Sequence, residues 1–529
     1  MKDTLGAIKR PDGSAATNNL EKAEILRDVF ASTYPSTAEI AERARRPARH
    51  LQTPADLQVV EDVDTSSANL ARHLQKLANK RSETPDGISA FVYKQCGPSV
   101  CEPLSLIFRR SLEDGAVPDV FRRAIISPVH KKGATNKRPV SLTSVPCKLL
   151  ESIIAEAIYT NADRQRLISR EQFAYRPGYS SVLQLLETQN DWALWLNDKK
   201  PFDCIYFDFK SAFETVTHSK LLEILPAYGV GAKLVNWISA FLKERSFRVR
   251  VNDCLSSTAY ATSGCPQGTI LGPLMYILYT DSIKHVIPSH VHTKIYADDI
   301  KMYKEIVDRG QSAAEFQAVL DDFSEWTKCL DLSHSVNKCA VLHFGHANPE
   351  YSYTLGGETL RTTNTMKDLG VSTCTTLKYS GHITEAVSNA SRKINWILRT
   401  FVLKDAKLYV KLYMQYVIPA MLYASPVWNT CLVRDRNLIR KMHNKFLRRV
   451  AYRCNIEVCD IQCDDILQML DRNDRKVFEK VCEKEERSAP FFTRVQTTTR
   501  SGINLQPKAT AKRTLVNNLF AWRVSRKVR

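Results

Sequence analysis

The sequence reads as an α+β protein, and three observations carry that reading. Apolar residues at Ile295 and Ala297, then at Ile300 and Met302, bracket a pair of aspartates and predict a β-hairpin with Asp298 and Asp299 at its tip. Cys204-Ile205-Tyr206-Phe207 is a buried strand that runs into a third acidic residue, Asp208, and a short polar turn. Beyond residue 371 the pattern turns mostly helical. There Ile439, Met442, Phe446 and Val450 form an apolar stripe, and Arg434, Arg436, Arg440, Lys441, Lys445, Arg448, Arg449 and Arg453 cover the rest. Such a basic amphipathic helix suits RNA, a membrane surface or a partner protein.

Composition narrows the classes. The chain has 529 residues, room for roughly two to four domains. Its net charge is +19 and its pI is about 9.3. That excess favours a polyanionic partner, nucleic acid ahead of an acidic membrane; the alternative is a solubilising charge spread evenly. The 14 cysteines are scattered, and Met1-Lys2-Asp3-Thr4-Leu5 leads into polar sequence without a secretory signal. The thiols therefore read as reduced and mostly structural. Cys454, Cys459 and Cys463 lie close together, but no zinc-ligand spacing with histidine follows. The most apolar span, 417–428, is too short for a membrane helix and holds Pro419 and Pro426.

Taken in order, residues 21–34 are periodic enough for a helix, and 40–60 read as a linker. Leu70, His73, Leu74 and Leu77 recur at helical spacing. Residues 84–88 are a turn by composition, and a helix pattern follows near 104–112. A short apolar strand, 124–129, ends in a basic turn. Lys131, Lys132, Lys137 and Arg138 cluster there, beside the stiff Pro139. This cluster is either a phosphate contact or a solvated loop. Helices are expected over 147–160 and 181–197. Between them, Gln172-Phe173-Ala174-Tyr175-Arg176-Pro177-Gly178-Tyr179 interleaves aromatics with arginine, which suits base stacking or a packed loop.

After the strand at 204–207, Leu234, Ile238, Phe241 and Leu242 mark an amphipathic helix. Residues 247–251 alternate as a strand with one basic face. Residues 263–273 form a loop with three glycines and two prolines that feeds a helix. A glycine loop of that kind lets backbone N–H groups approach a ligand closely. The hairpin at 294–303 follows. Two adjacent carboxylates repel each other and are costly to desolvate, a cost that a divalent cation with a taste for hard oxygen removes; a solvated turn is the alternative. Residues 335–345 read as a turn and a strand, and 366–371 as a second short strand. The tail from 497 is basic and carries little other signal.

In their fixed order these blocks resemble the reverse transcriptases of non-LTR (LINE-type) retrotransposons, of the jockey and CR1-like kind, over residues 80–460. Pro128-Val129-His130-Lys131-Lys132-Gly133 with Arg138-Pro139-Val140-Ser141-Leu142 is similar to the fingers motifs, and Gln172-Phe173-Ala174-Tyr175-Arg176 to the next. Phe207-Asp208-Phe209-Lys210-Ser211-Ala212-Phe213 resembles palm motif A, 263–273 motif B, and Tyr296-Ala297-Asp298-Asp299 motif C, the YADD motif. Lys338 and Asp368-Leu369-Gly370-Val371 fit motifs D and E, and Ala424-Ser425-Pro426-Val427-Trp428 matches the thumb region.

The resemblance implies a right-hand polymerase of fingers, a palm with an antiparallel sheet, and a thumb, with helical N- and C-terminal flanks. Its parts would be an N-terminal helical extension and linker (1–80), fingers (81–202), palm (203–375), a thumb-like helical region (376–460) and a basic tail (461–529). The implied activity is RNA-directed DNA polymerisation. The implied partners are an RNA template, a DNA primer and dNTPs, with no membrane, and the implied cofactor is Mg²⁺ with Mn²⁺ as the alternative. Asp208 and Asp298 would be the main metal ligands, Asp299 would support them, and Phe209 would contribute its backbone beside the metals. Arg138 would meet the triphosphate, with Lys132 nearby. Phe213 would be the aromatic gate that clashes with a ribose 2′-OH, and Gln267 and Gly268 would shape the nucleotide pocket. Lys338 would donate a proton to pyrophosphate, or else is a surface lysine.

Four departures bear on activity. The stretch between Gly133 and Arg138 is shorter than the family's, which would displace Arg138. Glu214 stands where aspartate is common. The upstream endonuclease of many relatives is expected to be missing, and so is a terminal zinc knuckle. Two readings follow: a working polymerase in the nucleus or the cytoplasm, not secreted, or a catalytically silent nucleic-acid-binding remnant. A third, an RNA-templated RNA polymerase, is opposed by Phe213.

Overall fold

The computed structural model describes residues 8, 10, 13–45, 53–130, 137–308, 310–429, 432–495, 504–507, 520, 521, 523 and 524. The chain forms two compact units. One comprises Met1–Tyr175, Asp208–Pro288 and Val319–Ser335; the other comprises Arg176–Phe207, Ser289–Ala318 and Val336–Arg529. In chain order the principal strands are β1 (Arg123–His130), β2 (Lys137–Leu142), β3 (Phe202–Phe207), β4 (Arg245–Val251), β5 (Cys254–Leu255), β6 (Ala259–Ala261), β7 (His292–Tyr296), β8 (Asp299–Glu305) and β9 (Ala340–Phe344). The α+β class expected from the sequence is therefore observed.

The first unit holds a sheet of order β2-β1-β4-β5, with β6 also on β4. Strand β1 runs antiparallel to β2, from Ile125↔Leu142 to His130↔Lys137, and parallel to β4. Alternation along β4 turns Phe247, Val249 and Val251 inward, where they pack with Ala23, Leu26 and Phe30 of the helix Asn19–Ala31. Burying each of the larger side chains is worth about 1.5–3 kcal/mol. The outward arginines of β4 are spent locally. Arg248 donates to the Ser256 carbonyl at 2.7 Å and Arg250 pairs with Glu83 at 3.0 Å. The expected linker at 40–60 is corrected at its start. A helix, Thr37–Ala44, opens there on a capping box in which Ser36 and Glu39 serve each other's backbone N–H. The helix expected over 147–160 is longer, Val145–Arg164.

The second unit is built on a sheet in which the short strand Arg361–Thr362 flanks β9, followed by β3, β8 and β7. Strand β3 is central, antiparallel to both β8 and β9, and all six of its residues are buried. Its near-continuous apolar run is what burial on both faces demands. On one face Phe202, Cys204 and Tyr206 join Tyr303, Leu342 and Phe344, and Trp192 covers them. Trp192 belongs to the helix Ser181–Asn197, whose bounds are those the sequence gives.

In the same unit the basic helix runs Val433–Cys454 and buries Ile439, Met442, Phe446 and Val450, as its period predicts. Part of the stretch expected to be a basic tail, 461–529, is instead a helix, Ile466–Cys482, that buries Ile466, Leu467, Met469 and Leu470. Among the described residues no helix is long and apolar enough to cross a membrane.

Candidate active site

In the second unit the hairpin forms where the sequence places it. Strands β7 and β8 pair from His292↔Tyr303 to Tyr296↔Asp299, leaving Ala297 and Asp298 as a two-residue loop. Ala297 takes φ +59°, a left-handed conformation that costs an alanine about 1–2 kcal/mol. Asp299 is thus the first residue of β8 and not part of the tip; it is exposed, while Asp298 is half-buried. Side chains two apart on a strand share a face, so Asp299 and Lys301 point the same way.

Lys301 is paired in register with Tyr206 of β3, and both reach one acid. The Tyr206 hydroxyl donates to Asp368 Oδ2 at 3.0 Å, and Lys301 Nζ donates to the same oxygen. Lys301 Nζ also lies 6.0 Å from the Trp192 ring centroid and 5.9 Å from that of Tyr206. Burial and the Asp368 charge push the Tyr206 hydroxyl well up, so it stays a donor. Asp368 ends a strand, Thr365–Asp368, that turns through Leu369 (φ +43°) and Gly370 (φ +89°) into Val371–Cys374. The single strand expected over 366–371 is therefore a hairpin whose turn is the Asp-Leu-Gly-Val motif. Tyr423 fixes that turn by donating to the Leu369 carbonyl at 3.0 Å.

In the first unit Asp208 is half-buried and directly follows Phe207, the last residue of β3. Its carbonyl accepts the Ser335 N–H at 2.7 Å, and the Lys210 N–H donates to the Ser333 carbonyl at 2.9 Å. Between them Phe209 forms a β-bridge with His334, their rings 5.4 Å apart and stacked. Burial pushes the His334 imidazole down to about 4, so it is neutral at pH 7. Phe213 is buried and stacked on Tyr276, with centroids 4.2 Å apart and planes 17° apart.

The glycine loop is stitched to both neighbouring segments. Gly264 and Cys265 donate to the carbonyls of Val216 and Phe213 at 2.8 Å each. The Gln267 amide donates to Glu214 Oε1 at 2.5 Å, and the Ser141 N–H of β2 donates to the Gln267 carbonyl at 3.0 Å. Gly268 takes φ +96°, and a Cβ there would collide with the Ser141 carbonyl oxygen. Ser141, Glu214, Gly264, Cys265 and Gln267 line a small recess of about 30 Å³ together with Pro139 and Arg245. One expectation is overturned here. The N–H groups that open the helix Leu271–Thr280 are not presented to a ligand, because Glu151 Oε2 accepts those of Ile270 at 2.7 Å and Leu271 at 3.0 Å.

The remaining sites expected from the sequence are less defined. Arg138 sits in β2 opposite Val129, with its side chain outside the described part, and Lys132 lies outside the described residues. Lys338 is exposed in a 3₁₀ turn before β9. In the loop after residue 171, Gln172, Phe173 and Ala174 are buried, which favours packing, while Tyr175 is exposed. Among the described residues no three His, Cys, Asp or Glu side chains form a group ready to hold a metal. The hairpin still offers two adjacent hard carboxylates. Mg²⁺ commonly takes one or two carboxylates and completes its shell with water and substrate phosphate, so the donor chemistry fits.

Sequence reasoning missed Glu151, Tyr206, Lys301 and Asp368 as partners of the site. One signal was available: Lys301 stands between the apolar residues Ile300 and Met302 of the strand expected there.

Residues 129–383 match the family model described as reverse transcriptase (RNA-dependent DNA polymerase). The chain is 28% identical over 498 residues to the RNA-directed DNA polymerase from mobile element jockey of Drosophila funebris, covering 90% of this chain and 54% of that protein. The Drosophila melanogaster jockey polymerase is 25% identical, over 84% of this chain and 50% of its own length. The probable RNA-directed DNA polymerase from transposon BS of Drosophila melanogaster is 24% identical, over 84% and 51%. The chain thus spans about half the length of these relatives. The motifs read between Val129 and Val371 fall inside the matched region and the thumb match at 424–428 lies beyond it, so residues 129–383 carry the reverse transcriptase domain that the motif order implies.

Proposed function

We propose that this chain is an RNA-directed DNA polymerase that copies RNA into DNA by nucleotidyl transfer on a right-hand fold, with Asp208, Asp298 and Asp299 as its metal-binding acids. The observation that carries the reading is the β7–β8 hairpin, which holds Asp298 in its two-residue loop and Asp299 at the first position of β8. Phosphoryl transfer asks the protein mainly for positioning and charge neutralisation. Two Mg²⁺ ions, when bound, would activate the primer 3′-OH and stabilise the leaving pyrophosphate.

The chain's own residues do the rest. Asp208, Asp298 and Asp299 hold carboxylate oxygens at a strand end and a tight turn, where backbone bonds limit their motion. Phe213, held by Tyr276, stands as a rigid gate against a ribose 2′-OH. Glu214 orients the Gln267 amide, a reach its longer side chain suits. Gly268, lacking a Cβ, lets the loop close on β2. Arg138 and Lys132 meet the triphosphate, and Lys338 supplies a proton to the leaving group. The basic excess of the chain serves an RNA template and a DNA primer.

Primer extension on poly(rA)/oligo(dT) with dTTP and Mg²⁺ tests this. The intact protein extends and Asp298→Ala does not. Extension by both refutes the site assignment. Extension by neither, with duplex binding retained and Mn²⁺ also blank, establishes a silent nucleic-acid-binding remnant.

A further inference from the structure

We propose that Asp368, acting on Lys301 and Tyr206, is a positioning residue for the hairpin acids: it locks β3 to β8 and cancels a buried positive charge beside Asp299. The inference rests on the polymerase reading above.

The lock is geometric. Tyr206 and Lys301 are register partners on adjacent strands, and a single carboxylate oxygen accepts from both. A one-residue slip of either strand would turn its side chains to the opposite face and break that strand's bond to the shared carboxylate. The clamp lies two residues before Asp208 and two after Asp299, about 7 Å along each strand. Asp368 is itself fixed, because it ends a strand at a two-residue turn that Tyr423 holds.

The second role is electrostatic. Lys301 is 2% exposed and Asp368 7% exposed, so water screens neither charge well. Lys301 shares the Asp299 face. An ammonium at that depth with no counter-charge would repel any cation approaching the hairpin, and unit charges about 7 Å apart in a protein still interact strongly. Asp368 removes that field. Replacing Asp368 alone therefore leaves a buried cation beside the acids, whereas replacing Lys301 alone leaves an extra buried anion. Replacing both restores neutrality. A pair that served only the packing of the sheet would change stability and leave cation affinity untouched.

The test uses the full chain without nucleotide or nucleic acid, reading bound Mn²⁺ from the electron paramagnetic resonance of the free ion. The Mg²⁺ dependence of primer extension is followed in parallel. Asp368→Asn is expected to weaken Mn²⁺ binding and raise half-saturating Mg²⁺ by about fivefold or more. Lys301→Met is expected to tighten Mn²⁺ binding, the paired Lys301→Met/Asp368→Asn variant to return to within about twofold of the original, and Asp368→Glu to retain near-normal binding. A folded Asp368→Asn protein that binds Mn²⁺ normally overturns the inference. Should that variant not fold, an unchanged Mn²⁺ affinity in Lys301→Met overturns it equally. Asp298→Ala separates the two levels: if it binds Mn²⁺ like the intact chain, the metal reading of the hairpin itself fails, and the inference with it.

Discussion

Glu151 is the buried acid whose replacement separates hydrogen bonding from charge most cleanly. It is fully buried, and one oxygen, Oε2, accepts the N–H groups of Ile270 and Leu271. The other, Oε1, lies 3.2 Å from the Cys147 thiol. Glu151→Ala removes the acceptor. Leu271 is buried and loses its partner outright, at about 1–3 kcal/mol for a buried donor left unmet. Ile270 is partly exposed, so water replaces most of its bond. With the space vacated by the side chain, the total comes to about 2–4 kcal/mol, a large share of the roughly 5–15 kcal/mol that holds a domain together. Glu151→Gln keeps an oxygen at the Oε2 position and turns its NH₂ toward the sulfur, so both backbone bonds survive, and the change at pH 5 is within about 1 kcal/mol.

Protonation gives the second readout. Burial raises the Glu151 carboxyl, against the pull of its N–H partners and Arg245. A carboxyl that holds its proton more tightly folded than unfolded stabilises the fold fully below its ordinary value, and that contribution is lost as pH rises through the raised folded value. Glutamine has no proton to lose. Relative to the intact chain, Glu151→Gln should gain stability between pH 5 and pH 8. Urea unfolding followed by circular dichroism at both pH values measures the difference. Equal pH slopes in the two proteins, or a loss in Glu151→Gln as large as in Glu151→Ala, would refute the reasoning.

Phe213→Ala should raise ribonucleotide incorporation relative to deoxynucleotide, read as the ratio of extension with UTP and dTTP; an unchanged ratio removes Phe213 from the gate. The same variant loses a stack worth about 0.5–1.5 kcal/mol beyond its burial, so its melting point should fall. Gly268→Ala meets both a positive φ and the Ser141 backbone, at about 1–2 kcal/mol for the conformation alone. Its extension rate should fall and its KM for dTTP rise; a normal KM would mean that the close approach to β2 does not shape the nucleotide pocket.

What the sequence made legible was what short-range pattern encodes. The hairpin at 292–305, the helix Ser181–Asn197 and the stripe of Val433–Cys454 follow from periods of two and 3.6 residues, which any single segment displays. The capping box of Ser36 and Glu39 was equally present, but the Ala- and Arg-rich composition around it hid it. Glu151 and Ile270 are 119 positions apart, and Lys301 and Asp368 are 67 apart. No local period links residues so distant, so their pairing awaited the fold. The Asp-Leu-Gly-Val segment misled because two adjacent positive-φ residues can close a hairpin even when one is leucine, a choice that turn statistics disfavour.

Strand β3 shows most directly why an acidic residue in an apolar strand is ambiguous on paper. It is preceded and followed by equivalent logic: Asp203 near its start and Asp208 just past its end both need compensation for leaving water. The fold answers the two cases differently. Asp203 is fully buried and surrounded by donors, with Tyr353 Oη at 2.7 Å, Asn348 Nδ2 at 2.8 Å and His343 Nδ1 at 2.6 Å. Its lone pairs are spent inside the protein, and a cation arriving there would have to displace three bonds. Asp208 sits where the strand ends and the chain turns, half-buried, its position set by backbone bonds at Ser335 and Lys210. Under the polymerase reading proposed above, the acids expected to take a metal are the partly or fully exposed Asp208, Asp298 and Asp299, whereas Asp203 and Asp368 serve the sheet that carries them.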